Sequence, residues 1–239
     1  MRSELLGVLG GMGPAATAEF LSRLVNLTDS NTDQDHISSI TLMLPEVPDR
    51  SIAILNGSDA PYEYLKQGTQ RLADYGATII AIPCNSAMHW FTDLEQSTSV
   101  PIINIAKQTM DFLAVKKMPS AVLWGTRGLC GGNIFAKALA PDTQLDRTSR
   151  KVQLEIDETI MLVKSGQLNK ASDLLESLLK NHLRVSGTLP VILGCTELSV
   201  AAKSLSGIYP IIDSLDCLAL ECIRQCGFPQ LEPRWMQAL

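Results

Sequence analysis

Two short stretches carry the residue types best suited to chemistry. In Thr78-Ile79-Ile80-Ala81-Ile82-Pro83-Cys84-Asn85-Ser86 an apolar run meets a proline and then delivers a cysteine followed by two short polar residues. Leu189-Pro190-Val191-Ile192-Leu193-Gly194-Cys195-Thr196-Glu197 repeats the design, with glycine in place of proline. A thiolate is a base and nucleophile, and only that form acts so. Each apolar run reads as a short strand buried on both faces, as in a parallel sheet. Pro83 has no N–H for a ladder, so the first strand ends there and presents Cys84 at its carboxyl edge, where ligands bind in open α/β sheets. The two cysteines lie roughly 110 positions apart in 239 residues, the mark of two similar halves. If the halves face each other, two thiols enter one cleft from opposite sides.

The elements that must position them can be read in order. Leu5–Leu9 is a compact apolar strand, followed at once by Gly10-Gly11-Met12-Gly13-Pro14 and a helical pattern over Ala15–Val25. Pro14 suits the first turn of a helix, and a glycine-rich turn feeding a helix N-terminus offers N–H groups to an anion. The spacing Gly11-x-Gly13-x-x-Ala16 meets the loose dinucleotide fingerprint, but no acidic residue closes the second strand, Ser39–Leu44; Asp33 and Asp35 precede it. Carboxylate binding suits this turn better than a dinucleotide. Leu44–Arg50 is a proline-stiffened loop whose Arg50 is either a solvated surface residue or a fork for a carboxylate. Pro61–Tyr75 is an amphipathic helix closed by Gly76.

After Ser86, Ala87–Trp90 begins another helix, with His89 either structural or placed to orient a thiol. Val100–Ile105 opens the second half with a strand. Ala121–Trp124 is a further strand, followed by a loop holding Thr126, Gly128, Gly131 and Gly132. Val152–Leu183 is helical with a break at Lys164-Ser165-Gly166, where lysine is by default a solvated cap. Ile208–Ile212 is one more strand, ending in Asp213, and Leu215–Cys226 is a helix. Its Cys217, Cys222 and Cys226 read as buried small hydrophobes, since zinc would need further ligands. No metal is expected, and Cys130 has no assigned role.

Bulk properties narrow the class. With 239 residues, 46% of them hydrophobic, the chain can bury a sizeable core, and a formal charge of −5 argues against nucleic acid as a partner. No apolar run approaches the ~18 residues that cross a bilayer, and Met1–Leu5 is too short an apolar start for a secretion signal. Six cysteines in a chain this long are not a disulfide framework. A cytoplasmic α/β protein without a membrane partner is the expectation.

The motifs together resemble those of the aspartate/glutamate racemase family over nearly the whole length. Leu9-Gly10-Gly11-Met12-Gly13-Pro14 is similar to the family's opening motif, Val47-Pro48-Asp49-Arg50 to its substrate-binding loop, and Pro83–Ser86 and Gly194–Glu197 to its two catalytic motifs. Val163-Lys164-Ser165-Gly166 resembles a shorter motif whose lysine binds the distal carboxylate in aspartate racemases. The resemblance implies two α/β domains, each a parallel sheet flanked by helices, related by a pseudo-two-fold axis with the active site between them. Residues 1–98 with 211–239 would form the first and 99–210 the second, the C-terminal helix packing back on the first half.

It further implies cofactor-independent racemisation of an acidic amino acid, aspartate first, with Cys84 and Cys195 as the two bases. Arg50 and Lys164 would hold the substrate's carboxylates, and Met12, Gly13, Asn85, Ser86, Thr126, Thr196 and Glu197 would line the pocket. The assembly expected is a homodimer and the partner a small dicarboxylic amino acid. Three positions depart from the family pattern: Ser86 stands where threonine is common, Met88 where histidine is usual with His89 one later, and Leu129 where a second threonine often lies. Glutamate or broad-specificity racemases, hydantoin racemases, maleate isomerases and arylmalonate decarboxylases share the fold. A silent amino-acid sensor and a redox dithiol are the readings from other classes.

Overall fold

The computed structural model describes residues 4–139, 143–146 and 148–239. In chain order the first half holds β1 (Leu6–Gly10), α1 (Pro14–Leu27), β2 (Ser39–Met43), α2 (Arg50–Asn56), α3 (Ala60–Asp74), β3 (Ile79–Ala81), α4 (Phe91–Ser97), β4 (Ile102–Ile103) and α5 (Ile105–Val115). The second continues with β5 (Ser120–Trp124), α6 (Arg127–Gly131), β6 (Gln144–Asp146), α7 (Arg150–Lys164), α8 (Leu168–Ser186), β7 (Val191–Leu193), α9 (Thr196–Ala201), β8 (Ile211–Asp213) and α10 (Ser214–Gln225).

The strands form two parallel four-stranded sheets of the same order, β2-β1-β3-β4 and β6-β5-β7-β8. The interior strands β1 and β3 are buried along their whole length, as continuous apolar runs covered on both faces must be. β2, at an edge, leaves Ser39, Thr41 and Met43 exposed and alternates instead. The equivalent interior strands β3 and β7 are the two that deliver the cysteines.

Two strands lie in the opposite sheet from the one the sequence suggests. Residues 102–103, assigned with 99–210 to the second half, pair with β3 in the first sheet through Ile80↔Ile102 and Ala81↔Ile103. Residues 211–213, assigned with 211–239 to the first half, pair with β7 through Val191↔Ile211 and Leu193↔Asp213. A strand, a short helix and a following parallel strand close most easily into one right-handed unit, so α4 and α9 each return the chain to the sheet it has just left. That last strand also begins at Ile211 rather than Ile208. The helix after it, α10, does cross back, packing on α1 and α5.

Close backbone approaches align the halves. Gly11, with φ +96°, lies where a Cβ would come 2.6 Å from the Leu44 backbone, so the turn after β1 rests on the end of β2. Across the halves α2 packs on α6, where the Gly128 N–H donates to Ser51 Oγ at 2.8 Å. A Cβ on Gly128 would sit 2.5 Å from Ser51 Cα. Gly128→Ala must therefore push α2 and α6 apart, with an expected loss of about 1–3 kcal/mol in urea unfolding; an unchanged midpoint would show that the two helices do not bear on each other.

Candidate active site

Both cysteines sit in equivalent local geometry. Beyond β3 the chain turns tightly, with the Cys84 N–H donating to Ile82 O at 2.7 Å, and beyond β7 the Gly194 N–H donates to Ile192 O at 3.0 Å. Cys84 then caps a 3₁₀ turn over Asn85–Trp90, and Cys195 caps α9, both with extended backbones. Their carbonyls accept from Ala87 N–H at 3.2 Å and Leu198 N–H at 2.9 Å. The first N–H groups of each turn have no acceptor within it, so they face outward from the strand end. The side chains are 7% and 8% exposed, and both thiols are free.

The Cys195 thiol donates to Glu197 Oε2 at 2.9 Å, and Glu197 is itself only 4% exposed. Burial pushes this thiol well above its ordinary value, and the Glu197 charge and hydrogen bond push it further, against a smaller opposing pull from the Glu197 N–H. Cys84 is a further, smaller cause of the rise. Gly13 walls this corner: a Cβ there would lie 3.2 Å from Glu197 Oε1. Thr196, also buried, opens α9.

On the Cys84 side Asn85 is 2% exposed, and its Nδ2 donates to Ser214 Oγ at 2.9 Å while its Oδ1 has no partner. Ser86 Oγ reaches across the halves to Thr126 Oγ1 at 3.4 Å, and the same threonine caps α6 by accepting from Leu129 N–H at 3.1 Å. The sequence pairs Asn85 and Ser86 with the first thiol, and the structure adds Thr126 to them.

Arg50 is the first residue of α2, whose N-cap is Asp49, rather than part of a free loop. Its Nη1 donates to Val47 O and Pro48 O, both at 3.0 Å, and its Nη2 to Met12 O at 3.1 Å. The guanidinium thus pins the turn after β1 to the turn after β2. Of the five N–H donors of an arginine, Nε–H and one on Nη2 stay uncommitted, and Nε is buried. Lys164, at the end of α7, crosses from the second half to Asp49 Oδ2 at 3.6 Å. Burial raises the Asp49 carboxyl, but the Ile52 N–H, Lys164 and Arg50 outweigh it and hold it below its usual value.

His89 is not brought to either thiol. Its ring stacks edge-on against Trp90 with centroids 4.9 Å apart, its Nδ1 is buried without a partner, and burial followed by the Lys137 charge lowers its pKa. Glu197, which sequence reasoning assigned only to the pocket lining, is the titratable neighbour of a thiol instead. A cavity of about 860 Å³ also lies elsewhere, between Arg127, Phe135, Leu145 and Gln153, and neither Cys84 nor Cys195 lines it. α2 packs against α6, and both touch the turn that follows Cys84. Ser214 and Ser51 are polar residues of the site that the sequence did not single out; a serine directly after a strand-ending aspartate is the one signal that pointed to Ser214.

Residues 9–222 match the family described as Asp/Glu/Hydantoin racemase. The chain belongs to that family. As a member of it the protein is a racemase, hence an isomerase. The Bacillus subtilis broad specificity amino-acid racemase RacX is 25% identical over 225 residues, 90% of this chain and 95% of that protein. The aspartate racemase of Picrophilus torridus has the same fold at a TM-score of 0.85 and 25% identity, covering 99% of this chain and 100% of its own. The Thermus thermophilus glutamate racemase shares the fold at a TM-score of 0.64, with 17% identity over 94% of this chain and 80% of that one. No helix among the described residues of this racemase is long and apolar enough to cross a membrane.

Removing the Glu197 charge while keeping its shape has a signed consequence. Glu197→Gln should lower the Cys195 pKa, because the carboxylate disfavours a thiolate beside it, and burial alone should leave it above an ordinary thiol. Site-resolved alkylation of Cys195 against pH should show its midpoint moved to lower pH; a midpoint moved upward would reverse the assigned role of the carboxylate.

Proposed function

We propose that this racemase interconverts L- and D-aspartate, with Cys84 and Cys195 as bases on opposite faces of the α-carbon. The observation that carries the reading is the pairing of two buried thiols at the turns after β3 and β7, in sheets of identical order. Inversion needs a proton taken from one face of Cα and another returned to the opposite face. A single base would tend to return the proton it took.

The Cα–H proton passes to the thiolate of one cysteine, the electron pair stays on the substrate as an enediolate-like carbanion, and the other thiol gives its proton to the opposite face. Cys195, whose S–H donates to Glu197, is assigned as the proton donor in one direction of the reaction and Cys84 as the base. The proton inventory of the two thiols balances without a cofactor. N–H groups at Asn85, Ser86 and Thr196 stabilise the α-carboxylate as it gains negative charge, and the free Asn85 Oδ1 is an acceptor suited to the α-ammonium. The uncommitted Nε–H and Nη2–H of Arg50 match the two oxygens of the distal carboxylate. Similarity to the P. torridus aspartate racemase supports the choice of aspartate.

A second reading has one observation in its favour. Lys164 is tied to Asp49, so its charge is partly neutralised before any distal carboxylate arrives. That favours a wider substrate range, as the similarity to RacX also does. Turnover of aspartate against alanine and serine, followed by chiral chromatography, separates the two; a ratio near one would favour the wider range.

The thiols are tested singly. Cys84→Ser and Cys195→Ser should each lower racemisation roughly 10³-fold or more, while each retains α-proton exchange with the enantiomer that faces its remaining thiol. By resemblance to the family, Cys195 serves the L-form and Cys84 the D-form. NMR of L- and D-aspartate in D₂O reads both quantities, and a single mutant racemising at the parent rate would exclude the two-thiol mechanism. Arg50→Lys should lower kcat/KM for aspartate roughly 100-fold, because an ammonium cannot keep the loop carbonyls and grip a carboxylate with a planar edge at once. Normal turnover by that variant would make Arg50 a structural tie alone.

A further inference from the structure

Ser214 opens α10 directly after Asp213, the last residue of β8, and is wholly buried. Its hydroxyl accepts from Asn85 Nδ2 at 2.9 Å and donates to Leu193 O at 2.6 Å. Asn85 is the residue after Cys84, and Leu193 ends β7, followed by Gly194 and then Cys195. One oxygen atom therefore links the turn that carries the first thiol to the strand that delivers the second. A second hydrogen bond from the Cys84 turn to the second half, Ser86 to Thr126, is long at 3.4 Å and only part-buried. The Asn85 amide is oriented by Ser214 alone among the described residues, since its Oδ1 has no partner. The register of β7 with β8 sets where Ser214 can stand, because Leu193 pairs with Asp213.

We propose that Ser214 is a positioning residue for racemisation, its hydroxyl setting the relative placement of the Cys84 and Cys195 turns across the substrate α-carbon. The proposal rests on the two-thiol reading above. Proton transfer on both faces of one carbon demands that both sulfurs stand close to it together, and a displacement of about 1 Å costs roughly 100-fold in rate. The consequence is specific. If one thiol is displaced, the first step still moves the Cα proton to the other sulfur. That S–H exchanges with solvent, and the same sulfur returns a solvent proton to the face it came from. Exchange with retention then replaces inversion.

Ser214→Ala tests this in D₂O with L- and D-aspartate, NMR reporting deuterium in the unreacted enantiomer and chiral chromatography the inverted one. Inversion should fall roughly 10- to 100-fold, and the ratio of exchange with retention to inversion should rise about 10-fold or more for at least one enantiomer. That ratio does not depend on how much of the protein is folded, so a merely structural role leaves it unchanged, and an unchanged ratio overturns the proposal. Should Ser214→Ala not fold, Ser214→Cys, near in shape but a weaker donor and acceptor, carries the same comparison with the same criterion. Cys84→Ser and Cys195→Ser run alongside: if either racemises at the parent rate the two-thiol reading fails, whereas if both lose racemisation and the Ser214 variant keeps the parent ratio, only the role of Ser214 fails.

Discussion

The Arg23 guanidinium, on α1 of the first half, donates to Glu19 at 2.8 Å, to Asp216 at 2.5 Å and to the Ser199 carbonyl at 3.3 Å, and pairs with Asp213 at 3.2 Å. Its partners come from the end of β8, from α9 behind Cys195, and from α10. Ser199 Oγ donates to Asp213 Oδ1 at 2.6 Å and Trp235 Nε1 to Asp216 Oδ2 at 2.7 Å, so none of these elements can move without breaking a buried polar contact. Removing one partner from a buried ionic cluster costs about 3–5 kcal/mol, because a charge is left without compensation. In the two-thiol mechanism proposed above, both thiols can face one carbon only while the sheets keep their spacing, and this cluster ties elements of both halves together.

Its charge balance is uneven. Three carboxylates, Glu19, Asp213 and Asp216, meet Arg23 and the largely exposed Lys203. Burial and the neighbouring Asp213 charge raise the Asp216 carboxyl to about 6, despite the Arg23 and Trp235 contacts that oppose them. A carboxyl raised in the folded state binds its proton more tightly there than in the unfolded chain. Its contribution to stability is therefore present at acid pH and declines as pH rises through about 6. Burial also lowers the Arg23 pKa, but Asp213 and Asp216 more than offset it, so the guanidinium stays charged throughout.

Closure on the substrate side uses weaker contacts. One hydrogen bond between Ser51 and Gly128, a half-exposed ion pair between Asp49 and Lys164, and the long Ser86–Thr126 contact span the halves there. An exposed ion pair of this kind contributes about 0–1 kcal/mol. The molecule is thus tied firmly behind the thiols and lightly in front of them.

Much of this was legible in the residues. Apolar runs ending at Pro83 and Gly194 marked β3 and β7 because a strand buried on both faces has no polar position, and the cysteine after each break had to stand at a carboxyl edge. The glycine turn before Pro14, the helix closed by Gly76 and the break after Lys164 are local effects of backbone freedom and capping, and they appear where their chemistry requires. What depends on partners far along the chain was not legible. The sheet that takes β4 or β8 is decided by crossover geometry, and the donors left on Arg50 are decided by carbonyls at Met12, Val47 and Pro48. The residue beside the Cys195 thiol is Glu197 rather than His89 because α9 turns the carboxylate back onto the sulfur, while the turn after Cys84 carries His89 away toward Trp90. A single chain lists which groups can ionise or hydrogen-bond; which of them are desolvated together, and so which bonds form, is settled only when the two sheets close on each other.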